Sequence, residues 1–331
     1  MESVSVIIPN YNGAGKLEPL FESLRAQDYP MDHMQICVGD DASQDSSITI
    51  MEQYREQGLN LHWAVSKKNR GRSAARNLAL KLADGAIHII IDNDFTLPSF
   101  FIREHVVTHE DAKNLVVIGP LLNVHSVTGF YQSFLDYYQK NENIYCESHS
   151  QSLPFMYFRA NASIRKENID ILFDERFRLW GYEDVEMGYR LASRGLNFVY
   201  NRRAYVWHYL FEDSLEVRCR RNYDAGKNKA LFAFIHPGSG QDLLGKKIRD
   251  NSFGTHFRYL ARAAVCRFIS VYGVGFEIKF LNTIYLLTSF SDKILPQKWT
   301  FSLYNAVAGI HLEVAFFRHL RALNSNRAEV E

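Results

Sequence analysis

The chain has 331 residues, 47% of them hydrophobic and 23% charged, enough for one large α/β domain with an appendage or for two domains. Its 38 basic and 37 acidic residues nearly cancel, leaving +1, and that balance excludes the strongly basic signature of a nucleic-acid binder. The signs are nevertheless segregated. Residues 1–212 hold 21 Lys and Arg against 27 Asp and Glu, whereas residues 213–331 hold 17 against 10, so an acidic front and a basic tail are expected to face different partners. Cys37, Cys146, Cys219 and Cys266 are widely spaced with no C-x-x-C pair, which argues against a disulfide framework or a zinc site. The N-terminus starts directly in an apolar strand without a basic n-region, so a cytoplasmic protein is the expectation. The sequon Asn161-Ala-Ser163 is accordingly read as chance.

In chain order, residues 4–8 form an apolar strand that ends in Pro9-Asn-Tyr-Asn-Gly13, and Leu17, Leu20, Phe21 and Leu24 have helical spacing. A second strand over 35–39 ends at Asp40-Asp41, and a helix over 47–57 and a third strand over 61–65 follow. A helix over 72–83, stopped by Asp84-Gly85, delivers the chain to a strand over 87–91. Four of that strand's five residues are Ile, with no period-two alternation, as suits a central strand covered on both faces. It stops at Asp92-Asn-Asp94. Side chains two apart in an extended segment point the same way, so both carboxylates are expected to aim at one point, an environment that a hard divalent ion accepts. Asp and Asn are also common turn residues, and the motif alone does not decide.

Further on, a helix over 98–109 and a strand over 116–119 are expected, then an aromatic-rich segment, 131–141, placed over the cleft. A strand over 155–164, a helix over 184–194 stopped by Gly195, and strands over 196–200 and 204–207 complete this part, the last delivering His208. Alternating strands and helices predict a mostly parallel, doubly wound sheet. Ligands of such sheets sit beyond the carboxyl ends of the strands, where Pro9–Asn12, Asp40–Asp41 and Asp92–Asp94 all fall. No G-x-G-x-x-G or P-loop pattern follows the first strand.

Seven short motifs stand in one order: Val6-Ile-Ile-Pro-Asn-Tyr-Asn12, Gly39-Asp-Asp-Ala-Ser43, Asn69-Arg-Gly-Arg-Ser-Ala-Ala-Arg-Asn77, Asp92-Asn-Asp94, Asn161-Ala-Ser-Ile164, Trp180-Gly-Tyr-Glu-Asp184 and Val206-Trp-His208. This set resembles the inverting glycosyltransferases of family 2, over residues 4–208. The resemblance implies a GT-A fold, a Rossmann-like α/β architecture with a mostly parallel sheet, and metal-dependent sugar transfer from a nucleotide-diphosphate donor, with UDP as the expected nucleotide. It implies donor contacts from Pro9, Tyr11, Asn12, Asp40, Asp41, Arg76, Asp92 and Asn93, and a Mn²⁺ or Mg²⁺ site built from Asp94 and His208 with Asp92. Asp184 would be the general base, its carboxylate favoured by a helix N-terminus, with Glu183 and Trp180 on the acceptor side. One of Asp40 and Asp41 fits an Asx turn equally well, Arg76 fits a surface cation, and Glu186 fits the charged first turn of a helix. Tyr182 stands where the family often has Gly, narrowing the acceptor side. The setting implied is polysaccharide or surface-glycan assembly. A sugar nucleotidyltransferase and a non-catalytic sugar-binding protein are the alternatives.

Residues 213–331 lie outside the resemblance. Arg218-Cys-Arg-Arg221 reads as a solvated cationic helix or as a segment closing over the donor. Residues 257–290 are rich in Phe, Tyr, Leu and Ile but interrupted by Arg258, Arg262, Arg267, Glu277 and Lys279, short of the roughly 20 apolar residues of a membrane span. Amphipathic helices are expected there. They leave packing on the catalytic domain, pairing with a second subunit, or peripheral contact with an anionic membrane as uses for the tail.

Overall fold

The computed structural model describes residues 1–110, 112–125, 130–169, 172–210, 214–237, 239 and 297–328. The tail segment 257–290 and Cys266 lie outside the described residues. The chain divides into two compact units, residues 1–128, 135–178 and 183–211 in the first, and 129–134, 179–182 and 212–331 in the second.

The first unit is built on a seven-stranded sheet. Its strands are β1 (Val4–Asn10), β2 (Met34–Asp40), β3 (Leu61–Val65), β4 (Ile87–Ile90), β6 (Leu115–Ile118), β8 (Ala162–Arg165) and β9 (Asn197–Tyr200), in the order β3-β2-β1-β4-β8-β6-β9. The pairs β1–β2, β1–β4, β2–β3 and β6–β9 are parallel, and β8 runs antiparallel to both neighbours. The Ile run behaves as its composition predicts. Ile87, Ile89 and Ile91 join one core cluster with Val4, Val6 and Ile8, while Ile90 and Ile7 join the cluster on the opposite face. Helices α1 (Ala14–Arg25) and α2 (Ser47–Glu56) supply Leu17, Phe21 and Met51 to the first face, and α3 (Arg72–Leu80) supplies Ala79 and Leu80 to the second. Gly39 lets β2 meet α3 closely, since a Cβ there would lie 1.8 Å from the Ala75 carbonyl oxygen.

A second, three-stranded sheet has the order β5-β10-β7, with β5 (Phe95–Thr96), β7 (Leu121–His125) and β10 (Val206–Leu210). Because β10 begins and ends later than predicted, His208 sits inside the strand, opposite Phe95 of β5 and Asn123 of β7. Residues 155–157 form a 3₁₀ turn instead of the predicted strand, and only Ala162–Arg165 is extended. Bonds from Tyr157 N to Pro154 O and from Phe158 N to Phe155 O close that turn and direct Phe158 into the second cluster. The aromatic segment is part of a longer helix, α5 (Phe130–Ser148), whose Cys146 is buried in that same cluster.

Asn161, with φ of 69°, is completely buried. Its amide donates to Pro120 O and Ala204 O at 2.9 Å each, and its Oδ1 meets His105 Nε2 at 3.1 Å. His105 and His109 share the Ser163 hydroxyl at 2.8 and 2.9 Å. Burial pushes both imidazoles down, to about 3 and about 4, so they remain neutral cross-braces at physiological pH.

In the second unit, α7 (Leu215–Ile235) is capped by the Ser214 hydroxyl, which accepts from Val217 N at 3.2 Å. It packs along α8 (Gln297–Ala328) through a buried Lys229–Glu313 pair at 3.0 Å, with the ammonium 4.7 Å from the centre of the Phe316 ring. Asn228 donates to the carbonyls of Leu179 and Gly181 at 3.0 and 2.6 Å, holding a bend whose Gly181 and Tyr182 both have positive φ. Arg218-Cys-Arg-Arg221 lies within α7. Among the described residues, no helix is long and apolar enough to cross a membrane.

Candidate active site

Three strand ends of the first unit meet at a cavity of about 310 Å³, lined among others by Pro9, Tyr11, Asp41, Arg72, Asp92 and Asp94. A larger cavity of about 620 Å³, near Leu115, Tyr200 and Arg202, contains none of the predicted site residues, so chemistry and not size selects the smaller one.

The Asp40–Asp41 pair divides its labour. Asp40 is fully buried and accepts from Asn10 Nδ2 and Ser43 N at 2.8 Å and from Ser43 Oγ at 2.6 Å. It is the Asx-type anchor of the loop, not a cavity residue. Asp41 faces the cavity while accepting Arg70 N at 2.8 Å and Gly71 N at 2.7 Å, which fixes the backbone just ahead of α3. Asn12 staples two loops, its Oδ1 accepting from Gln44 N at 2.8 Å, and does not line the cavity. Asn93 lines it and donates to Asn10 Oδ1 at 2.8 Å.

Arg72 and Arg76, one helical turn apart, share a face of α3. Arg76 is completely buried, contrary to the reading as a surface cation, and it does not line the cavity. Its guanidinium bridges Asp92 Oδ1 at 3.0 Å and Asp184 Oδ1 at 2.5 Å, 5.0 Å from the centre of the Phe173 ring. Arg72 does line the cavity and reaches Glu183 Oε1 at 3.2 Å. Glu183 and Asp184 open α6 (Glu183–Ser193). Burial, reinforced by Glu183 and Asp92 and opposed by Arg76, pushes the Asp184 carboxyl up to about 7. Burial also acts on Asp92, but the guanidiniums of Arg72 and Arg76 outweigh it and hold that carboxyl below its ordinary range. Glu186 is tied to Arg190 Nε at 2.7 Å, as a first-turn structural pair. Trp180 is 43% exposed and belongs to the second unit.

Both carboxylates of Asp92-Asn-Asp94 line the cavity, but they are held differently. β4 stops at Ile90, so the motif is a turn rather than extended chain, and Arg76 claims Asp92. Among the described residues, no three His, Cys, Asp or Glu side chains are gathered to hold a metal ion. Asp94 and His208 do approach each other, with Asp94 Oδ1 3.7 Å from His208 Nε2. Strand pairing brings this about: Tyr209 N donates to Asp94 O at 2.9 Å, which fixes the turn beside β10. His208 Nδ1 meets Asn123 Oδ1 at 3.1 Å, which orients the ring with Nε2 towards Asp94. Asp94 Oδ1 is buried without a hydrogen-bond partner, and burial together with Asp92 raises its carboxyl. A carboxylate oxygen and an imidazole nitrogen facing one gap are ligand types that fit a divalent cation whose shell is finished by ligand oxygens. Three residues of this arrangement receive no role from the motifs, although Asn10 lies within one of them. Asn10, Asn123 and Lys16 gain their roles only through strand pairing and loop contact.

Residues 5–172 match the family described as Glycosyl transferase family 2. Chondroitin synthase from Pasteurella multocida is 28% identical over 59% of this chain and 23% of its own length. The uncharacterized glycosyltransferase YfnE from Bacillus subtilis is 27% identical over 59% of this chain and 61% of its own length. The chain therefore spans less than two-thirds of the length of either relative. Among solved structures, a mannosyltransferase from Pyrobaculum calidifontis in complex with GDP-Man and Mn²⁺ superposes with a TM-score of 0.63, at 20% identity over 95% of this chain and 87% of that one. TarS 1–349 from S. aureus in complex with UDP superposes at 0.52 with 18% identity, covering 98% of this chain and 92% of that one. These structural likenesses establish the GT-A type fold. With half of its length matched in sequence as well, the chain belongs to glycosyl transferase family 2.

Proposed function

We propose that this chain is a metal-dependent, inverting glycosyltransferase that moves a sugar from a nucleotide-diphosphate donor, UDP-linked in the first instance, to a hydroxyl of a growing glycan. The observation that carries this reading is the Arg76 bridge. It brings Asp184, 108 residues distant in sequence, into one buried network with the donor-side Asp92. In this reading residues 1–212 are the catalytic domain and residues 213–331 a mainly helical appendage.

The donor's nucleotide occupies the cavity over Asp41, with Pro9, Tyr11 and Asn93 around it. Asp94 and His208 would hold a Mn²⁺ or Mg²⁺ ion, which neutralises charge on the diphosphate leaving group when bound. Asp184 takes the proton from the acceptor hydroxyl as that oxygen attacks the anomeric carbon from the face opposite the leaving group. Arg76 aims the base and offsets its charge. Glu183, held by Arg72, is assigned to the acceptor. Family membership favours this reading over a nucleotidyltransferase or a binding protein.

A panel of UDP- and GDP-sugars, followed for hydrolysis with Mn²⁺ and again in EDTA, tests the proposal. At least one donor should be turned over with the metal and none without it. Because Asp184 acts only when ionised, kcat/KM should climb as pH rises through about 7. Asp184→Asn should lower turnover by about 10³-fold while leaving Mn²⁺-dependent nucleotide binding close to wild type. Equal loss of binding and turnover would remove Asp184 from the role of base.

A further inference from the structure

β9 is the last strand of the seven-stranded sheet, and the cavity of about 620 Å³ is built on it. The strand's outer edge is closed by residues 150–153, with Tyr200 N donating to Ser150 O and Leu153 N to Phe198 O, each at 2.7 Å. Several polar groups of the wall are committed. Asn197 Nδ2 donates to Gln151 O at 3.0 Å, Asn201 Nδ2 to Thr108 Oγ1 at 2.8 Å, and Arg203 pairs with Glu104 at 3.1 Å. The side chains of Glu147, Gln151 and Arg202 differ. All three are exposed and line the cavity, and among the described residues none of them makes a hydrogen bond or an ion pair. A carboxylate, an amide and a guanidinium therefore face one space without joining each other.

A second cavity, of about 280 Å³, shares Glu147 and Arg202 with the first and adds an apolar wall of Phe100, Leu122 and Tyr205. The Phe100 and Tyr205 ring centres are 5.8 Å apart, and Trp207, 36% exposed, follows at 5.3 Å from Tyr205. Leu122 and Trp207 are partners in the β7–β10 ladder, one residue before Asn123 and His208. Alternation along the strands puts them on the opposite face from His208, so this aromatic wall turns away from the gap between Asp94 and His208.

Resting on the transferase reading above, we infer that the two adjoining cavities are a second, non-catalytic subsite for an uncharged stretch of the acceptor glycan, away from its reacting end. Sugar hydroxyls both donate and accept, which a carboxylate, an amide and a guanidinium answer together, and the C–H face of a pyranose packs on an aromatic wall. Charge supports a neutral ligand: Glu147 balances Arg202, and Glu104 balances Arg203. That balance offers no net field to draw in a polyanion.

Chitohexaose, cellohexaose and mannohexaose, titrated calorimetrically into the full chain in EDTA without donor, test the inference. At least one should bind, and Arg202→Ala and Glu147→Ala should each weaken it about tenfold, the scale of one hydrogen bond to a charged group. Neither side chain has a partner to lose among the described residues, so both variants should keep the wild-type denaturation midpoint. Binding of none of the three, or binding indifferent to both substitutions, overturns the subsite. So does sedimentation with phosphatidylglycerol vesicles that Arg202→Ala abolishes while no hexasaccharide binds, since the groove would then take an anionic headgroup. If a UDP- or GDP-sugar is turned over with Mn²⁺ yet no hexasaccharide binds, this inference falls alone. If a hexasaccharide binds through Arg202 and Glu147 but no donor is turned over, the transferase reading falls and the sugar site stands.

Discussion

Asp184 meets a buried guanidinium at 2.5 Å, whereas Asp94 meets Lys16 and His208 at 3.7 Å. The two carboxylates belong to one unit but are held in contrasting ways. At the base end, Arg76 has no solvent exposure, and its NH1 and NH2 are both spoken for by acids on different elements. Folding alone pairs both terminal nitrogens of that guanidinium, because a buried charge left without partners costs far more than an exposed one, while Arg76 Nε and Glu183 Oε2 are left without hydrogen bonds. At the Asp94 end the separations are longer, one Asp94 oxygen has no hydrogen bond, and His208 Nε2 faces it. That end is left for a ligand to finish. Under the proposed roles, pre-organisation would sit with the base and adaptability with the groups around metal and nucleotide.

Arg76→Ala should break the contrast most severely. It leaves Asp92 and Asp184, each only 19% exposed, without the buried cation they share, at a cost of about 3 kcal/mol. Denaturant melts monitored by circular dichroism would reveal this as a lowered midpoint, and an unchanged midpoint would mean that the network is not built in by folding. Asp94→Ala should spare the fold, because its side-chain contacts are long. If Asp94 ligates the ion as proposed, the change should weaken nucleotide binding with Mn²⁺ by about 100-fold and matter little in EDTA. Calorimetry under both conditions checks this. Asn123→Ala sharpens the comparison at the smallest scale. Releasing the His208 ring from its orienting partner should lower Mn²⁺ affinity by about tenfold, measurable by Mn²⁺ titration, with no change in the denaturation midpoint.

Much of this framework was readable before the fold. Strands covered on both faces must be apolar throughout, so the Ile87–Ile90 segment announced itself, and the acids after β2 and β4 followed from where such strands end. β5 is two residues long and offers no period to detect. Phe155–Tyr157 carries strand-like aromatic residues, yet local turn bonds and the pull of Phe158 into the core decide its form. Within the site, Asp184 and Arg76 were each named through a motif, but the bond between them was not. No pattern shows that Arg76 is buried rather than on the surface until α3 is laid against β2 across Gly39. Lys16 and Asn123 were equally silent, one a lysine among many on helix surfaces, the other a polar residue in a strand whose register alone places it opposite His208.

The buried Asn161 has a consequence for how the chain can be made. Its side-chain nitrogen, the atom to which an oligosaccharide would be attached at a sequon, is spent on two carbonyls in a space closed to solvent. Modification of the finished fold at this position is therefore impossible. In a secretory expression host the sequon would be open only on the nascent chain, and every molecule modified there would be unable to close the β8 region. Replacing Ser163 to destroy the sequon would not be a neutral remedy, because His105 and His109 both lean on its hydroxyl. Production in a compartment without oligosaccharyl transfer avoids that conflict.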